Sequence, residues 1–132
     1  MPRLEYFVVS EGLSVDQRTN NVSLFGVCEE YKTTIPGFFA KLVATSSWNI
    51  DPEEHGNDFQ ATLRVKLNEE SVLPELDNFK INFTTDRDRH RIFHYIDNLK
   101  VMKPGNLVFE ILLDGKHQAY HTVTVRERDE ND

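Results

Sequence analysis

Hydrophobic and polar residues alternate along most of the chain with a period of two. This alternation is typical of β-strands, because successive side chains of a strand point to opposite faces of the sheet. The clearest run is 58–67, in which Phe59 and every second residue after it are apolar. In the segments 4–9 and 22–28, apolar side chains would lie on both faces of a strand, which predicts strands in the interior of a sheet. Weaker alternation occurs at 79–84, 90–101, 106–113 and 119–125.

The residues between these runs are typical of turns. Asp114-Gly115 predicts a two-residue hairpin of type I′, and Pro104-Gly105 predicts a turn between two further strands. The segment 38–48 fits a helical stripe as well as a strand, but its Thr-Ser-Ser-Trp ending favours the strand.

These runs, with no convincing long helix, predict an all-β fold. We expect an antiparallel β-sandwich of about seven or eight strands, immunoglobulin-like or C2-like, whose last three strands form a meander. The 132 residues suit a single domain, which we assign to residues 1–125. Residues 126–132 have no apolar side chain and predict a flexible, charged C-terminal tail.

The charge and the cysteine content of the chain disfavour some classes of partner and favour one kind of cellular compartment. The chain has 15 Lys and Arg against 22 Asp and Glu, a formal net charge of -7, which disfavours nucleic acids and anionic membranes. No apolar run reaches the roughly 18–20 residues of a membrane span. The single cysteine, Cys28, excludes an intrachain disulfide and favours a reducing compartment. We therefore predict a cytoplasmic location and a buried, unreactive thiol.

The most unusual stretch is 84–91, where basic and acidic residues alternate. On a strand, one face would carry three arginines and the other would carry two aspartates followed by His90. Arginine binds carboxylate or phosphate through two parallel hydrogen bonds, so this stretch predicts a docking edge for an acidic partner or a phosphorylated ligand. The alternative, which we favour, is pairing within the chain and protection of an edge strand. The candidate binding residues are Arg87, Arg89, Arg91 and His90.

An acidic loop at 51–58 offers a second candidate site. Calcium takes six to eight oxygen ligands, and C2-like domains bind it through clustered loop carboxylates. Two further aspartates would contribute if both loops lie at one end of the sandwich. The alternative is a solvated connection. The candidate metal ligands are Asp51, Glu53, Glu54, Asp86 and Asp88.

Histidines occur in two pairs with a spacing of four residues, His90 with His94 and His117 with His121. On a strand this spacing separates two side chains by about 13 Å, too far for both to bind one ion. The predicted meander also keeps the two pairs apart, so surface or hydrogen-bonded histidines are favoured over a metal site. The sequence has no Gly-rich phosphate loop and no Gly-x-Ser-x-Gly motif, so we predict no cofactor and no enzymatic activity.

Three segments resemble a family of short, uncharacterised bacterial β-sandwich proteins, a domain of unknown function. They are Leu-Glu-Tyr-Phe-Val-Val-Ser-Glu-Gly at 4–12, Asn-Val-Ser-Leu-Phe-Gly-Val-Cys at 21–28 and Lys-Pro-Gly-Asn-Leu-Val-Phe-Glu-Ile-Leu-Leu-Asp-Gly at 103–115. In that family an early hairpin carries a Leu-x-Gly-Val-type second strand, and a Pro-Gly turn leads to a strand ending in Leu-Asp-Gly. The resemblance implies a β-sandwich over nearly the whole chain and implies no activity.

The predicted function is a non-catalytic binding or scaffolding module with an unidentified protein partner. A homo-oligomer, formed through an exposed sheet face or edge, is one form that this function could take. The alternative is a C2-like module that binds a divalent cation or a phosphorylated ligand through the loops 51–58 and 86–91. A hydrolase built on loop residues ranks third.

Overall fold

The computed structural model describes residues 2–54, 56–71, 79–82 and 89–129. These residues form ten strands and a single turn of 3-10 helix at Pro52–Glu54. The strands are β1 (Arg3–Val15), β2 (Val22–Val27), β3 (Glu30–Thr33), β4 (Gly37–Asn49), β5 (Asp58–Leu67), β6 (Glu70–Ser71), β7 (Phe79–Asn82), β8 (Arg89–Val101), β9 (Gly105–Leu113) and β10 (Lys116–Glu127).

The strands form two sheets. The first has four strands in the order β2-β1-β4-β8, and the second has six, in the order β3-β10-β9-β5-β6 with β7 also paired to β5. All pairs are antiparallel except β10 with β3. The predicted all-β sandwich is confirmed. Two described strands, β3 and β6, were not predicted, because segments of four and two residues are too short to show a period.

The two sheets bury their inner faces against each other. Leu42 and Trp48 of the four-stranded sheet are fully buried, as are Leu63 and Phe109 of the six-stranded sheet, within one continuous core. The indole N–H of Trp48 donates a hydrogen bond to Ser46 Oγ at 3.0 Å. A buried indole needs this partner, because an unpaired polar group is costly inside an apolar core.

Two local predictions are confirmed. The ambiguous segment 38–48 lies within β4, which pairs with β1 on one side and with β8 on the other. Asp114 and Gly115 both have positive φ, 48° and 82°, as a type I′ turn requires, and they join β9 to β10.

The predicted meander of the last three strands is wrong. β8 pairs with β4 in the four-stranded sheet, whereas β9 and β10 pair with each other in the six-stranded sheet. The Pro104-Gly105 connection therefore carries the chain from one sheet to the other. Gly105 has φ of 144° and lies against the side chain of Asn68, whose Oδ1 accepts the N–H of Asn106 at 3.2 Å. A Cβ at Gly105 would collide with that amide.

Two further expectations need correction. β2, predicted as an interior strand, lies at an edge of the four-stranded sheet, and its Phe25 and Val27 are exposed. The sandwich also extends beyond residue 125, because Arg126 and Glu127 pair with β3. The N–H of Arg128 then donates to the carbonyl of Thr33 at 2.9 Å. Hydrogen bonding to β3 holds the first residues of the predicted tail in the sheet.

No helix in the described part of the chain has the length and apolar character that a membrane crossing demands.

Candidate functional site

Of the arginine-rich stretch 84–91, the structure describes residues 89–91, which begin β8. Arg89 and Arg91 lie on the outer face of the four-stranded sheet, and His90 lies on the inner face, opposite Trp48. This agrees with the predicted alternation. Arg87, Asp86 and Asp88 lie outside the described residues, so their part in either candidate site stays a prediction.

Arg89 is held by a carboxylate of its own chain. Its Nε donates to Glu5 Oε1 at 2.7 Å and its Nη2 donates to Glu5 Oε2 at 3.0 Å. Ser47 Oγ also donates to Glu5 Oε1, at 3.0 Å. The hydrogen bond from Arg89 is the main cause that lowers the pKa of Glu5, and it outweighs the opposing effect of burial. An external carboxylate or phosphate would have to displace Glu5 to bind Arg89 in the same two-point manner.

The carboxylates of the acidic loop also have local partners. Arg3 Nη1 donates to Asp51 Oδ1 at 3.2 Å, and the N–H of Asp51 donates to Glu54 Oε1 at 3.4 Å. Within residues 2–54, 56–71, 79–82 and 89–129, no group of three or more His, Cys, Asp or Glu side chains could hold a metal ion. The predicted set of metal ligands includes Asp86 and Asp88, which lie outside the described residues, so that set stays a prediction.

The acidic loop 51–58 and the first residue of β8 lie at the same end of the four-stranded sheet. Arg3 of β1 pairs with Asn49 of β4, and Asn49 pairs with Arg89 of β8. The acidic loop therefore leaves β4 at the same end of the sheet at which β8 begins.

The two histidine pairs do not converge, because β8 lies at one edge of the four-stranded sheet, whereas His121 of β10 contacts Val9 and Cys28 on the other side of that sheet. His90 and His94 are half-buried on the inner side of β8, and burial lowers the pKa of both. His117 is exposed on the outer face of the six-stranded sheet, with Nδ1 3.2 Å from Glu110 Oε2. The favoured alternative of hydrogen-bonded histidines agrees with this arrangement at His117.

His121 bridges the two sheets. Its Nδ1 lies 3.4 Å from the backbone N of Val9, and its Nε2 forms a short hydrogen bond with the carbonyl O of Cys28. The N–H of Cys28 donates to the carbonyl of Val9 at 2.9 Å. The imidazole therefore lies where β2 leaves β1, and it pairs with a backbone donor of β1 and with the backbone acceptor that follows β2.

Cys28 is buried, as predicted. Burial, with a smaller contribution from the negative charge of Glu11, raises its pKa to about 11. Because the thiolate is the reactive form, the thiol is a poor nucleophile near neutral pH.

The surface that the sequence analysis missed is the outer face of the four-stranded sheet. Its side chains form three rows that cross the strands in register. The rows are Val27-Ser10-Val43-Tyr95, Val8-Thr45-Phe93 and Tyr6-Ser47-Arg91. We call these residues, together with Phe25, the apolar face.

The apolar face has a buried centre and exposed margins. Ser10, Val43 and Thr45 are fully or almost fully buried. At the margins, Phe25 is 55% exposed and Tyr95 is 53% exposed. The hydroxyl of Thr45 is, among the described residues, the one buried side-chain polar atom without a hydrogen-bond partner.

The outer face of the six-stranded sheet has a different character. Glu110 lies at its centre, 3.4 Å from Lys66 Nζ and 3.2 Å from His117 Nδ1. Tyr120 is 65% exposed there, with its ring 5.4 Å from the imidazole of His117. The centre of this face is charged and internally paired, whereas the centre of the apolar face is not, so the two outer faces of the sandwich are not equivalent.

The missed surface had a signal in the sequence. In segments 4–9, 22–28 and 92–96, apolar residues lie on both faces of the strand. A sandwich covers only one face of each sheet, so three such segments in one sheet leave an apolar outer face. The same pattern therefore also fits strands with exposed apolar side chains on their outer face, such as Phe25, Val27 and Tyr95.

Comparison of the chain with models of known protein families finds no match, and no curated protein matches it. The resemblance to a family of bacterial β-sandwich proteins therefore stays a prediction, and the function has to be argued from the surface itself.

Proposed function

We propose that this protein is a non-catalytic protein-binding module, and that the apolar face is its binding surface. The observation that supports this most is the set of exposed and half-buried apolar side chains on the outer face of one sheet, opposite a sheet whose outer face carries the paired Glu110 and Lys66. Contiguous exposed apolar patches mark interaction surfaces in folded proteins, because water is released when a partner covers them.

The composition of the apolar face supports the same proposal. Interface centres are enriched in aromatic residues and arginine and depleted in other charged residues. Tyr6, Phe25, Phe93 and Tyr95 are the aromatic residues of this face, and Arg91 lies at its margin. The flat backbone of four paired strands fixes their relative positions, so a partner would meet a surface that is already ordered.

The test compares one substitution on each outer face. Tyr95→Lys places a charge on the apolar face, and Tyr120→Lys places the same charge on the opposite sheet at a similarly exposed tyrosine. We expect immobilised Tyr95→Lys to lose proteins that the wild type retains from a cell lysate, whereas Tyr120→Lys retains them. Equal retention by both variants, with both folded by circular dichroism, would refute the proposal.

A cytoplasmic location is part of this proposal, since the single cysteine is buried and needs no oxidising compartment. The proposal also includes the absence of enzymatic activity, which assays of the purified protein against hydrolase substrates would test.

A second candidate function is the binding of a divalent cation or a phosphorylated ligand through the loops 51–58 and 86–91. The register of Arg3, Asn49 and Arg89 favours it, because the acidic loop and the first residue of β8 adjoin one end of the sheet. The Arg3–Asp51 and Arg89–Glu5 pairs compete with such a ligand. The apolar face has no comparable competitor among the described residues, so we rank it first.

A further inference from the structure

We infer that the partner of the apolar face is a second copy of this chain, packed face to face about a two-fold axis that crosses the strands at residue 94. The inference rests on the proposed function, because it uses the same face. It adds the identity of the partner and the orientation of the two copies.

The order of charges along β8 points to this arrangement. On its outer side β8 presents Arg91, Phe93, Tyr95 and Asp97 in turn, which is one basic residue, two aromatic residues and one acidic residue. Lys41 lies opposite Asp97, and its ammonium is 5.9 Å from the centre of the Tyr95 ring, so these residues share one side of the sheet. Within the described chain, neither Arg91 nor Asp97 forms an ion pair.

A two-fold axis through residue 94 makes this order self-complementary. This axis lies between the facing four-stranded sheets of the two copies and runs perpendicular to their strands. It places β8 of one copy against β8 of the other, with the two strands running in opposite directions. Phe93 of one copy then faces Tyr95 of the other, and Arg91 faces Asp97. The symmetry repeats each contact, so one arrangement satisfies two aromatic contacts and two ion pairs.

The other two-fold packing of the same faces lacks this match. An axis parallel to the strands would place β8 over β2 of the second copy. Arg91 and Asp97 would then meet β2, whose six residues carry no charge. Charge complementarity therefore selects the axis that crosses the strands.

The extent of the face sets the expected strength. Four strands about 4.8 Å apart and six residues with a rise of about 3.3 Å give a surface of roughly 20 Å by roughly 20 Å. That is roughly 400 Å², about half of the roughly 800 Å² that a standard interface buries on each partner, so this face is smaller than a standard interface. We therefore expect a dimer that dissociates on dilution.

Analytical ultracentrifugation of the full chain tests the inference, over concentrations from about 1 µM to about 1 mM. We expect the mass of the wild type to rise from 15.4 kDa toward twice that value. Arg91→Glu and Asp97→Lys, each alone, bring like charges together at both ion-pair positions. Each variant should weaken the dimer roughly tenfold.

An equimolar mixture of the two variants is the decisive sample. In the mixed dimer the glutamate introduced by Arg91→Glu faces the lysine introduced by Asp97→Lys. The native Arg91 of one copy faces the native Asp97 of the other, so both pairs are restored. We expect the mixture to dimerise as tightly as the wild type. Monomeric wild type at every concentration, or a mixture no tighter than its components, would overturn the inference.

Val27→Asp separates face-to-face packing from pairing of β8 edges. Val27 lies on β2, at the far side of the sheet from β8, so it contributes only if the faces pack. Loss of dimer in this variant supports the inference, and an unchanged dimer refutes it. If the wild type is monomeric but Tyr95→Lys still loses its lysate partners, the proposed function stands and the second copy is excluded. If neither dimer nor partner loss is seen, both fail.

Discussion

The guanidinium of Arg89 on β8 binds both carboxylate oxygens of Glu5 on β1, across the intervening strand β4. The two residues are separated by 84 positions in the chain. Ser47 of β4 donates to the same carboxylate, so one acidic group connects three adjacent strands. An arginine that the sequence suggested as a ligand-binding residue is thus used to hold the sheet together at one end.

Glu5→Gln should destabilise the protein near neutral pH and have little effect in acid. Arg89 lowers the pKa of Glu5 below its ordinary value of 4.5, so the ion pair stabilises the fold above that pH. The stabilisation is lost as the pH falls through the lowered pKa, because the carboxyl is then protonated. Thermal melts at about pH 7 and about pH 3 should show a small deficit in Tm that disappears in acid.

Glu53→Gln is the matched control for Glu5→Gln, since it removes an exposed carboxylate of the loop after β4. It should leave the melting temperature unchanged at both pH values. A deficit for Glu5→Gln that persists in acid would mean that the side chain stabilises the fold by packing rather than by charge.

Features that depend on neighbouring residues were predictable from the sequence, whereas features that depend on residues far apart in the chain were not. Alternation depends on neighbouring residues, so it predicted β5 and β9, and the Asp114-Gly115 turn was predicted for the same reason. Which sheet β8 joins depends on residues far along the chain, and the meander prediction failed there. Alternation correctly separated Arg89 from His90, but it could not show that Glu5 occupies the guanidinium. The apolar face was missed because burial of a strand on both sides and exposure on one side give the same pattern.

His121→Ala should destabilise the protein substantially. The imidazole contacts the backbone N–H of Val9 and the carbonyl of Cys28, and alanine leaves both groups without that partner. A partly buried backbone group without a partner costs about 1–3 kcal/mol. We expect a decrease of this order in the free energy of unfolding, measured by urea denaturation at neutral pH. His117→Ala removes an exposed imidazole from the same strand and should cost much less, and equal losses in the two variants would contradict the bridging role.

His94→Gln should reduce the loss of stability that the wild type shows on mild acidification. Burial lowers the pKa of His94 below its ordinary value of 6.5, so the unfolded chain takes up a proton before the folded chain does. The wild type therefore has its full stability above that pH and loses stability as the pH falls toward the lowered pKa. Urea denaturation at about pH 7.5 and about pH 5.5 measures this loss, which should be smaller in the variant. A loss of stability in His94→Gln as large as that of the wild type would contradict the effect of burial.

Calcium should raise the melting temperature only if the second candidate function is correct. A ligand that binds the folded state stabilises it by mass action, so added Ca²⁺ would raise Tm and EDTA would lower it. The carboxylate of Asp51 is already paired with Arg3, and Arg3→Gln would release it for a cation. If the loop binds a cation, Arg3→Gln should enlarge the Ca²⁺-dependent shift, and Asp51→Asn should abolish it. If calcium shifts neither the wild type nor Arg3→Gln, the acidic loop is a solvated connection, and the apolar face is left as the binding surface of the protein.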